Sequence, residues 1–120
     1  MTIKGLKKIE HGDFQTPVTL AREVCKTFVK FKPKVLIEPT CGLGSFVIAG
    51  AEHFSTLEKI YAFDINEAYI DQFKKDCVNN EKTSRLDINI EQVNFFKKNW
   101  DDLASTPFFG HILWILWISI

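Results

Sequence analysis

The sequence predicts an α/β fold in which a parallel sheet of about four strands is flanked by helices. The chain has 120 residues, 46% of them hydrophobic and 25% charged, which is the composition of one globular domain. Short apolar segments alternate with helical segments of about ten to fifteen residues, the pattern of βαβ units. The run Val35-Leu36-Ile37 is wholly apolar, as expected of a parallel strand buried on both faces. Two complete domains do not fit this length.

The first predicted helix begins at Thr16-Pro17 and ends before Lys32-Pro33. Thr16 has a side chain able to cap a helix, and proline suits the first helical position. Apolar residues then recur at helical spacing, namely Val18, Ala21, Val24, Cys25, Phe28 and Val29. Residues 1–13 have no clear period, so we expect an N-terminal extension over 1–13 and a first helix region over 14–31.

The strand that starts at Val35 is closed by Glu38-Pro39 and leads into a glycine-bearing loop at residues 40–44. Residues 45–54 are apolar enough for a helix packed on the sheet, with Gly50 allowing close approach. Residues 59–64, Lys-Ile-Tyr-Ala-Phe-Asp, predict the second strand.

Asn66 is predicted to cap a third helix that ends at Asn79-Asn80. Ile65 and Ile70 stand at the two positions of a hydrophobic staple. The buried stripe of this helix is expected to continue through Tyr69, Phe73 and Cys77.

A third strand is predicted around Ile88, Ile90 and Val93, and it reaches Asn94-Phe95-Phe96. Residues 100–103 predict a short connection or helical turn, and residues 110–120 are a candidate fourth strand. Residues 35–120 would thus form a βαβαβ core, without repeats or low-complexity segments.

Charge and cysteine content place further bounds on the function. The net charge is zero, but residues 1–34 hold eight basic and three acidic side chains, which marks either a polyanion-facing end or a solvated helix surface. The three cysteines are far apart and have no histidine at ligand spacing, so neither a disulfide framework nor a metal site is expected. Without a secretion signal or an apolar run of membrane length, we expect a cytoplasmic protein and no membrane partner.

Two carboxylates and two glycines predict a ligand site at the carboxyl ends of the first two strands. Gly42 and Gly44 follow the first strand, and Asp64 closes the second strand 20 residues after Gly44. This order suits an adenosine-containing ligand whose ribose hydroxyls donate to Asp64. The alternative is that the glycines serve only the geometry of the turn.

The loop narrows the choice of ligand. Val47 stands where a dinucleotide fingerprint needs a third glycine, and no Gly-Lys-[Ser/Thr] motif is present. Glu38 would repel a pyrophosphate and attract a ligand with an ammonium and a sulfonium, which describes S-adenosylmethionine. The alternative is that Glu38 only caps backbone groups of the loop.

Three segments carry a resemblance to a known family. They are Gly12-Asp13-Phe14-Gln15-Thr16-Pro17, the run from Val35 through Glu38-Pro39-Thr40-Cys41-Gly42-Leu43-Gly44 to Phe46, and Phe63-Asp64-Ile65-Asn66. In order and spacing, residues 11–103 resemble the amino-terminal half of an N6-adenine-specific DNA methyltransferase of bacterial restriction–modification systems. The resemblance implies a partial Rossmann-like methyltransferase fold and S-adenosylmethionine as cofactor.

The resemblance also implies roles for individual residues. It assigns Phe14, Gln15, Thr16 and Pro17 to the methionine end of the cofactor. It places Glu38, Thr40, Cys41, Gly42 and Gly44 around the amino acid and ribose, with Asp64 accepting from the ribose hydroxyls. It implies that Ile65 packs on one adenine face and that Asn94 and Phe95 contact the ring edge and the other face.

Two of these assignments depart from the family or have alternatives. Many relatives carry aspartate where Asn94 stands; an amide oxygen can still accept from the adenine amino group, so we expect weaker binding. Phe95 and Phe96 could equally be core residues, which is the favoured interpretation for Phe96.

The family's catalytic Asn/Asp-Pro-Pro-aromatic motif is missing from the sequence. Where it would follow the fourth strand, the chain reads Leu116-Trp117-Ile118-Ser119-Ile120. We therefore expect a truncated methyltransferase domain over 1–120 that has no catalytic residue, is inactive alone, and binds DNA weakly or not at all. An apolar C-terminal strand at a sheet edge predicts self-association or a partner chain.

Other functions stay open at this point. The chain could be a non-catalytic S-adenosylmethionine-binding subunit completed by another chain. It could be an interaction module that uses residues 26–34 and 112–120, or a methyltransferase for another acceptor, since fold and cofactor do not fix the acceptor.

Overall fold

A computed structural model describes residues 15–104 and 112–115, and its centre is a four-stranded parallel sheet. The strands are β1 (Val35–Glu38), β2 (Lys59–Asp64), β3 (Asp87–Gln92) and β4 (Ile112–Trp114). Their order is β3-β2-β1-β4, and all three pairings are parallel. The predicted parallel sheet is confirmed, and β4 lies beside β1.

Five helices connect or follow the strands in the described part of the chain. They are α1 (Val18–Thr27), α2 (Ser45–His53), α3 (Glu67–Val78), α4 (Glu81–Ser84) and α5 (Asp101–Ala104), with a 3-10 turn at Val29–Phe31. The predictions of the three long helices and of a turn near residue 100 are confirmed. The short helix α4 was not predicted; it begins because Asn80 Oδ1 accepts the Lys82 N–H at 2.8 Å.

The two faces of β1 belong to two apolar clusters. Leu36 packs in the main core, to which α1, α2 and α3 contribute Ala21, Val47 and Phe73. Val35 and Ile37 face the other side of the sheet with Phe63. Since residues of β1 are buried on both faces, the strand lies inside the domain and its carboxyl end is fixed in place.

The start of α1 differs from the prediction. Pro17, in extended conformation, occupies the cap position, and its carbonyl accepts the first helical hydrogen bond from Ala21. Thr16 therefore precedes the cap and cannot close the helix with its side chain. Its carbonyl accepts instead from the Ser45 hydroxyl at 2.6 Å.

Two predictions about apolar side chains are wrong. Ile65 is 61% exposed, so it forms no buried staple with Ile70, because Asp64 and Gln92 hold the backbone on either side of it. Phe96 is 84% exposed and is not a core residue, since it lies in the turn after β3.

The three cysteines are buried and free. Within residues 15–104 and 112–115, no helix is long and apolar enough to cross a bilayer, and no group of side chains could hold a metal ion. The predicted extension over 1–13, Phe14, and positions 110–111 and 116–120 of the fourth strand candidate lie outside the described residues.

Candidate functional site

The glycine loop at residues 40–44 lies at the carboxyl end of β1 and is bound to β2. Gly42 and Gly44 both have positive φ, +56° and +87°, a conformation that favours glycine. The Cys41 N–H donates to the Phe63 carbonyl at 2.7 Å, and the Gly44 N–H donates back to Cys41 at 2.8 Å. These bonds fix the loop as a tight bend over the strand ends.

Asp64 joins the end of β2 to this loop. Its Oδ2 accepts the Gly42 N–H at 2.8 Å, and its Oδ1 accepts the Asn66 N–H at 2.9 Å. Asn66 in turn caps α3 by accepting the Tyr69 N–H, as predicted. The carboxylate is therefore oriented by two backbone donors, and each oxygen keeps a lone pair for a further donor.

The segment before α1 lies against the same loop. Gln15 Oε1 accepts the Leu43 N–H at 3.0 Å, and the Ser45 hydroxyl donates to the Thr16 carbonyl. Residues 28 positions apart in the chain thus meet at one site. Phe14, predicted to lie there too, is outside the described residues.

Protein side chains fill the space where each loop glycine lacks a Cβ. A Cβ at Gly42 would overlap the Gln15 amide, and one at Gly44 would overlap the Phe73 ring of α3. On that side of the Gly44 backbone the Phe73 ring therefore occupies the space, and a ligand would have to approach from another side. The glycine there is required by the packing of α2 and α3.

Glu38, the last residue of β1, has a buried carboxyl group. It is 2% exposed, and its Oε2 has no hydrogen-bond partner among the described residues. Burial, and next the charge of Asp64, raise the pKa of this carboxyl well above its ordinary value. The site therefore holds a carboxyl group that a bound cation would stabilise in its charged form.

Thr40 and Cys41 continue the loop after Glu38. Thr40 is half-buried, whereas Cys41 is buried. Burial is the main cause that raises the pKa of the Cys41 thiol, and the charges of Glu38 and Asp64 raise it further. A thiol kept protonated in this way is not an activated nucleophile.

Asn94 and Phe95 follow β3 at the same edge of the sheet. Gln92 pairs with Asp64 in register, and the Val93 N–H donates to the Asp64 carbonyl at 2.9 Å. Asn94 Oδ1 already accepts the Phe96 N–H at 3.0 Å, which fixes the turn. The sheet thus brings residue 94 to the edge where Asp64 and the loop lie.

Trp100 supports Phe95, and the sequence reasoning missed this role. Its indole N–H donates to the Phe95 carbonyl at 3.0 Å, and the two rings lie 5.5 Å apart. Trp100 also contacts Phe63 edge-on at 5.0 Å. The signal was present, since an indole five residues after Phe95 can close the turn onto the sheet.

The arrangement favours a cationic ligand with hydroxyl donors over a phosphate. The N–H groups of Gly42 and Leu43, which could bind a phosphate, are already bonded to Asp64 and Gln15. Two carboxyl groups lie close enough for the charge of one to raise the pKa of the other. A pyrophosphate would be repelled by the Asp64 carboxylate and would bring no cation to the buried Glu38 carboxyl.

Comparison with known proteins finds a relative in sequence. The chain is 38% identical over 100 residues to the type II methyltransferase M.NspV of Nostoc sp., and the match covers 80% of this chain. It covers 20% of M.NspV, so the chain spans about a fifth of the length of that relative. No family model matches the chain.

Two solved structures share the fold. One is Trm5b of Pyrococcus abyssi, with a TM-score of 0.56, 19% identity, and coverage of 72% of this chain and 24% of that chain. The other is described as a modification subunit of a type I restriction enzyme of Vibrio vulnificus YJ016, with a TM-score of 0.60 and 15% identity. That match covers 80% of this chain and 22% of the other chain. The partial Rossmann-like methyltransferase fold and the resemblance to restriction–modification methyltransferases are confirmed.

Proposed function

We propose that this chain is the cofactor-binding part of an S-adenosylmethionine-dependent DNA methyltransferase of the restriction–modification type that acts on adenine N6. The similarity to M.NspV supports the class of enzyme. The observation that carries the cofactor assignment is the buried, unpartnered Oε2 of Glu38 beside Asp64 and the glycine loop. When bound, S-adenosylmethionine supplies an electrophilic methyl group.

Glu38 is proposed to accept a hydrogen bond from the ammonium of the cofactor's amino acid part. A buried carboxyl without a partner is costly when charged, and an ammonium would compensate that cost. The pKa of Glu38, raised in the free protein, would fall on binding, because a nearby ammonium favours the charged form of the carboxyl. Pairing with an ammonium would thus account for the buried position of the Glu38 carboxyl at the end of β1.

Asp64 is proposed to accept from the ribose hydroxyls. Its carboxylate is held by the N–H groups of Gly42 and Asn66, and the oxygens retain lone pairs toward the strand ends. Because these backbone bonds exist before the ligand arrives, little ordering is required on binding.

The other contacts are proposed to surround the rest of the cofactor. Ile65, exposed rather than stapled, is free to pack on one adenine face, with Asn94 and Phe95 at the ring edge and the other face. The methionine end would lie between the loop, with Thr40, Cys41, Gly42 and Gly44, and the preceding segment, with Phe14, Gln15, Thr16 and Pro17. Gln15 and Ser45 hold that segment against the loop.

Methyl transfer is proposed to need a catalytic motif from outside this sequence. In enzymes of this kind, Asn/Asp-Pro-Pro-aromatic polarises the amino group of a flipped adenine, and the sequence has no such tetrapeptide. The chain alone would then bind cofactor without methylating DNA.

A second candidate is a cofactor-binding subunit that another chain completes. It is favoured by the position of β4, which is the outer strand of the described sheet and carries Trp114 with 40% exposure. An apolar edge strand is a template for pairing with another chain. A neighbouring reading frame that encodes the missing motif would support this candidate over the first.

Calorimetric titration tests the proposal. The chain should bind S-adenosylmethionine and should not bind NAD, because the loop N–H groups are already occupied. Asp64→Ala should weaken S-adenosylmethionine binding at least about tenfold, the loss of one charged hydrogen-bonding group. Asp71→Ala, which removes an exposed carboxylate on α3, should leave it unchanged. Tighter binding of NAD, or equal binding by the Asp64 variant, would contradict the proposal.

A further inference from the structure

The turn after β3 presents an aromatic side chain to solvent in a fixed position. Phe96 is 84% exposed, yet its N–H is held by Asn94 Oδ1 at 3.0 Å. The Lys97 and Lys98 N–H groups both donate to the Asn94 carbonyl. Exposure of Phe96 is therefore imposed by a hydrogen-bonded turn, which we call the 94–99 loop.

A series of aromatic rings supports this loop from below. Phe96 contacts Phe95 edge-on at 5.2 Å, and Phe95 lies 5.5 Å from Trp100. Trp100 in turn meets Phe63 of the sheet at 5.0 Å. The outermost ring of the series, Phe96, is thus anchored to the sheet while much of its surface remains open.

Positive charge accompanies the open ring. Lys97 is exposed and forms no ion pair with any described residue. The Lys98 ammonium lies 5.0 Å from the centre of the Phe63 ring and 5.6 Å from that of Trp100, so it is held at the base of the loop. An open aromatic ring beside lysines is the combination that binds single-stranded nucleic acid.

We propose that the 94–99 loop contacts the DNA substrate, with one unpaired base stacking on Phe96 and an adjacent phosphate binding Lys97. The inference rests on the proposed function, because it takes the edge that carries Glu38 and Asp64 as the edge where DNA meets the cofactor. Positive charge selects a polyanion over an apolar protein segment, and the ring selects an unpaired base over an intact duplex. The net neutral chain would bind weakly, through this loop.

Fluorescence anisotropy with a labelled single-stranded oligonucleotide of about twelve nucleotides tests the proposal. Phe96→Ala should weaken the affinity about fivefold or more, the lower limit expected for loss of one stacked base. Lys97→Gln should lower the slope of log affinity against log salt by about 0.7, the value for one phosphate contact on a single strand. Val78→Ala and Lys75→Gln, matched changes at the exposed end of α3, should alter neither quantity.

Titration of the same variants with S-adenosylmethionine separates this inference from the proposed function. Phe96→Ala should bind the cofactor as the unaltered chain does. If the unaltered chain binds cofactor but no oligonucleotide, or if Phe96→Ala leaves oligonucleotide affinity unchanged, the loop proposal is overturned. Loss of cofactor affinity alone in Phe96→Ala would also overturn it, by making Phe96 a cofactor contact. Failure of the unaltered chain to bind cofactor would instead reject the proposed function.

Discussion

The backbone N–H of Gly42 donates a hydrogen bond of 2.8 Å to the Asp64 carboxylate, which links the loop after β1 to the end of β2. The other oxygen of Asp64 accepts from Asn66 at the start of α3. One side chain therefore sets the relative position of a loop, a strand end and a helix. The geometry of the candidate site depends on this bond.

Glu38→Gln should change how stability depends on pH. The pKa of Glu38 is raised in the folded protein, whereas the pKa of a glutamate in an unfolded chain is about 4.3. The folded state therefore keeps a proton that the unfolded state loses, and the free energy of unfolding falls as the pH rises above that value through the folded-state pKa. In Glu38→Gln the free energy of unfolding should not fall in this way. At pH values above the folded-state pKa of Glu38, the variant should therefore be more stable than the unaltered chain.

Denaturant unfolding at several pH values measures the effect of Glu38→Gln. Asp71→Asn, a change at an exposed carboxylate of α3, provides the control. Parallel stability profiles for the unaltered chain and Glu38→Gln would show that the buried carboxyl has no raised pKa.

Gly44→Ala should destabilise the fold by about 2–4 kcal/mol. The residue has a φ of +87°, and an added Cβ would overlap the Phe73 ring, so backbone strain and overpacking add. Phe73→Leu should lower the free energy of unfolding less in the Gly44→Ala variant than in the unaltered chain, because the smaller side chain relieves the overlap. Chemical denaturation measures all four chains, and strictly additive losses would argue against the contact.

Arg85→Ala should cost about 1–2 kcal/mol of stability. Its guanidinium donates to the carbonyls of Ala51, Phe54 and Leu57, and so fastens the end of α2 and the turn before β2. Arg85→Lys should recover part of the loss, since an ammonium can reach fewer of these carbonyls at once. Thermal unfolding measures the stability order, which should fall from the unaltered chain through Arg85→Lys to Arg85→Ala. Equal stability of all three chains would refute this role.

Self-association is expected through the outer strand of the described sheet. β4 pairs with β1 on one side, and Trp114 is partly exposed. Trp114→Lys should reduce association, because a charged side chain on an edge strand opposes pairing. Light scattering over a range of concentrations measures the association. If the unaltered chain is a monomer at every concentration, the prediction is contradicted.

Local signals were sufficient to predict the elements that carry the site. Val35, Leu36 and Ile37 form an uninterrupted apolar run, which is typical of a short parallel strand buried on both faces. Asn66 precedes α3 and caps it as its side chain chemistry predicts. The sequence pattern alone was therefore sufficient to predict that Glu38 and Asp64, which end the two strands, lie at the same edge of the sheet.

Contacts between distant segments could not be predicted in the same way. The Phe73 ring fills the space beside Gly44, and Gln15 accepts from Leu43, but neither pairing has a local pattern. The exposure of Ile65 and Phe96 was missed because apolar character alone predicts burial. Hydrogen bonds to Asp64 and Asn94 decide their orientation instead, and these form only when the strands are assembled.

Titration with two ligands tests most directly whether Glu38 and Asp64 bind one cofactor. Methylthioadenosine shares the nucleoside of S-adenosylmethionine but lacks the amino acid part. Asp64→Asn should weaken the binding of both ligands, whereas Glu38→Gln should weaken only that of S-adenosylmethionine. If Glu38→Gln and Asp64→Asn both bind S-adenosylmethionine as tightly as the unaltered chain, the carboxyl groups do not form the cofactor site.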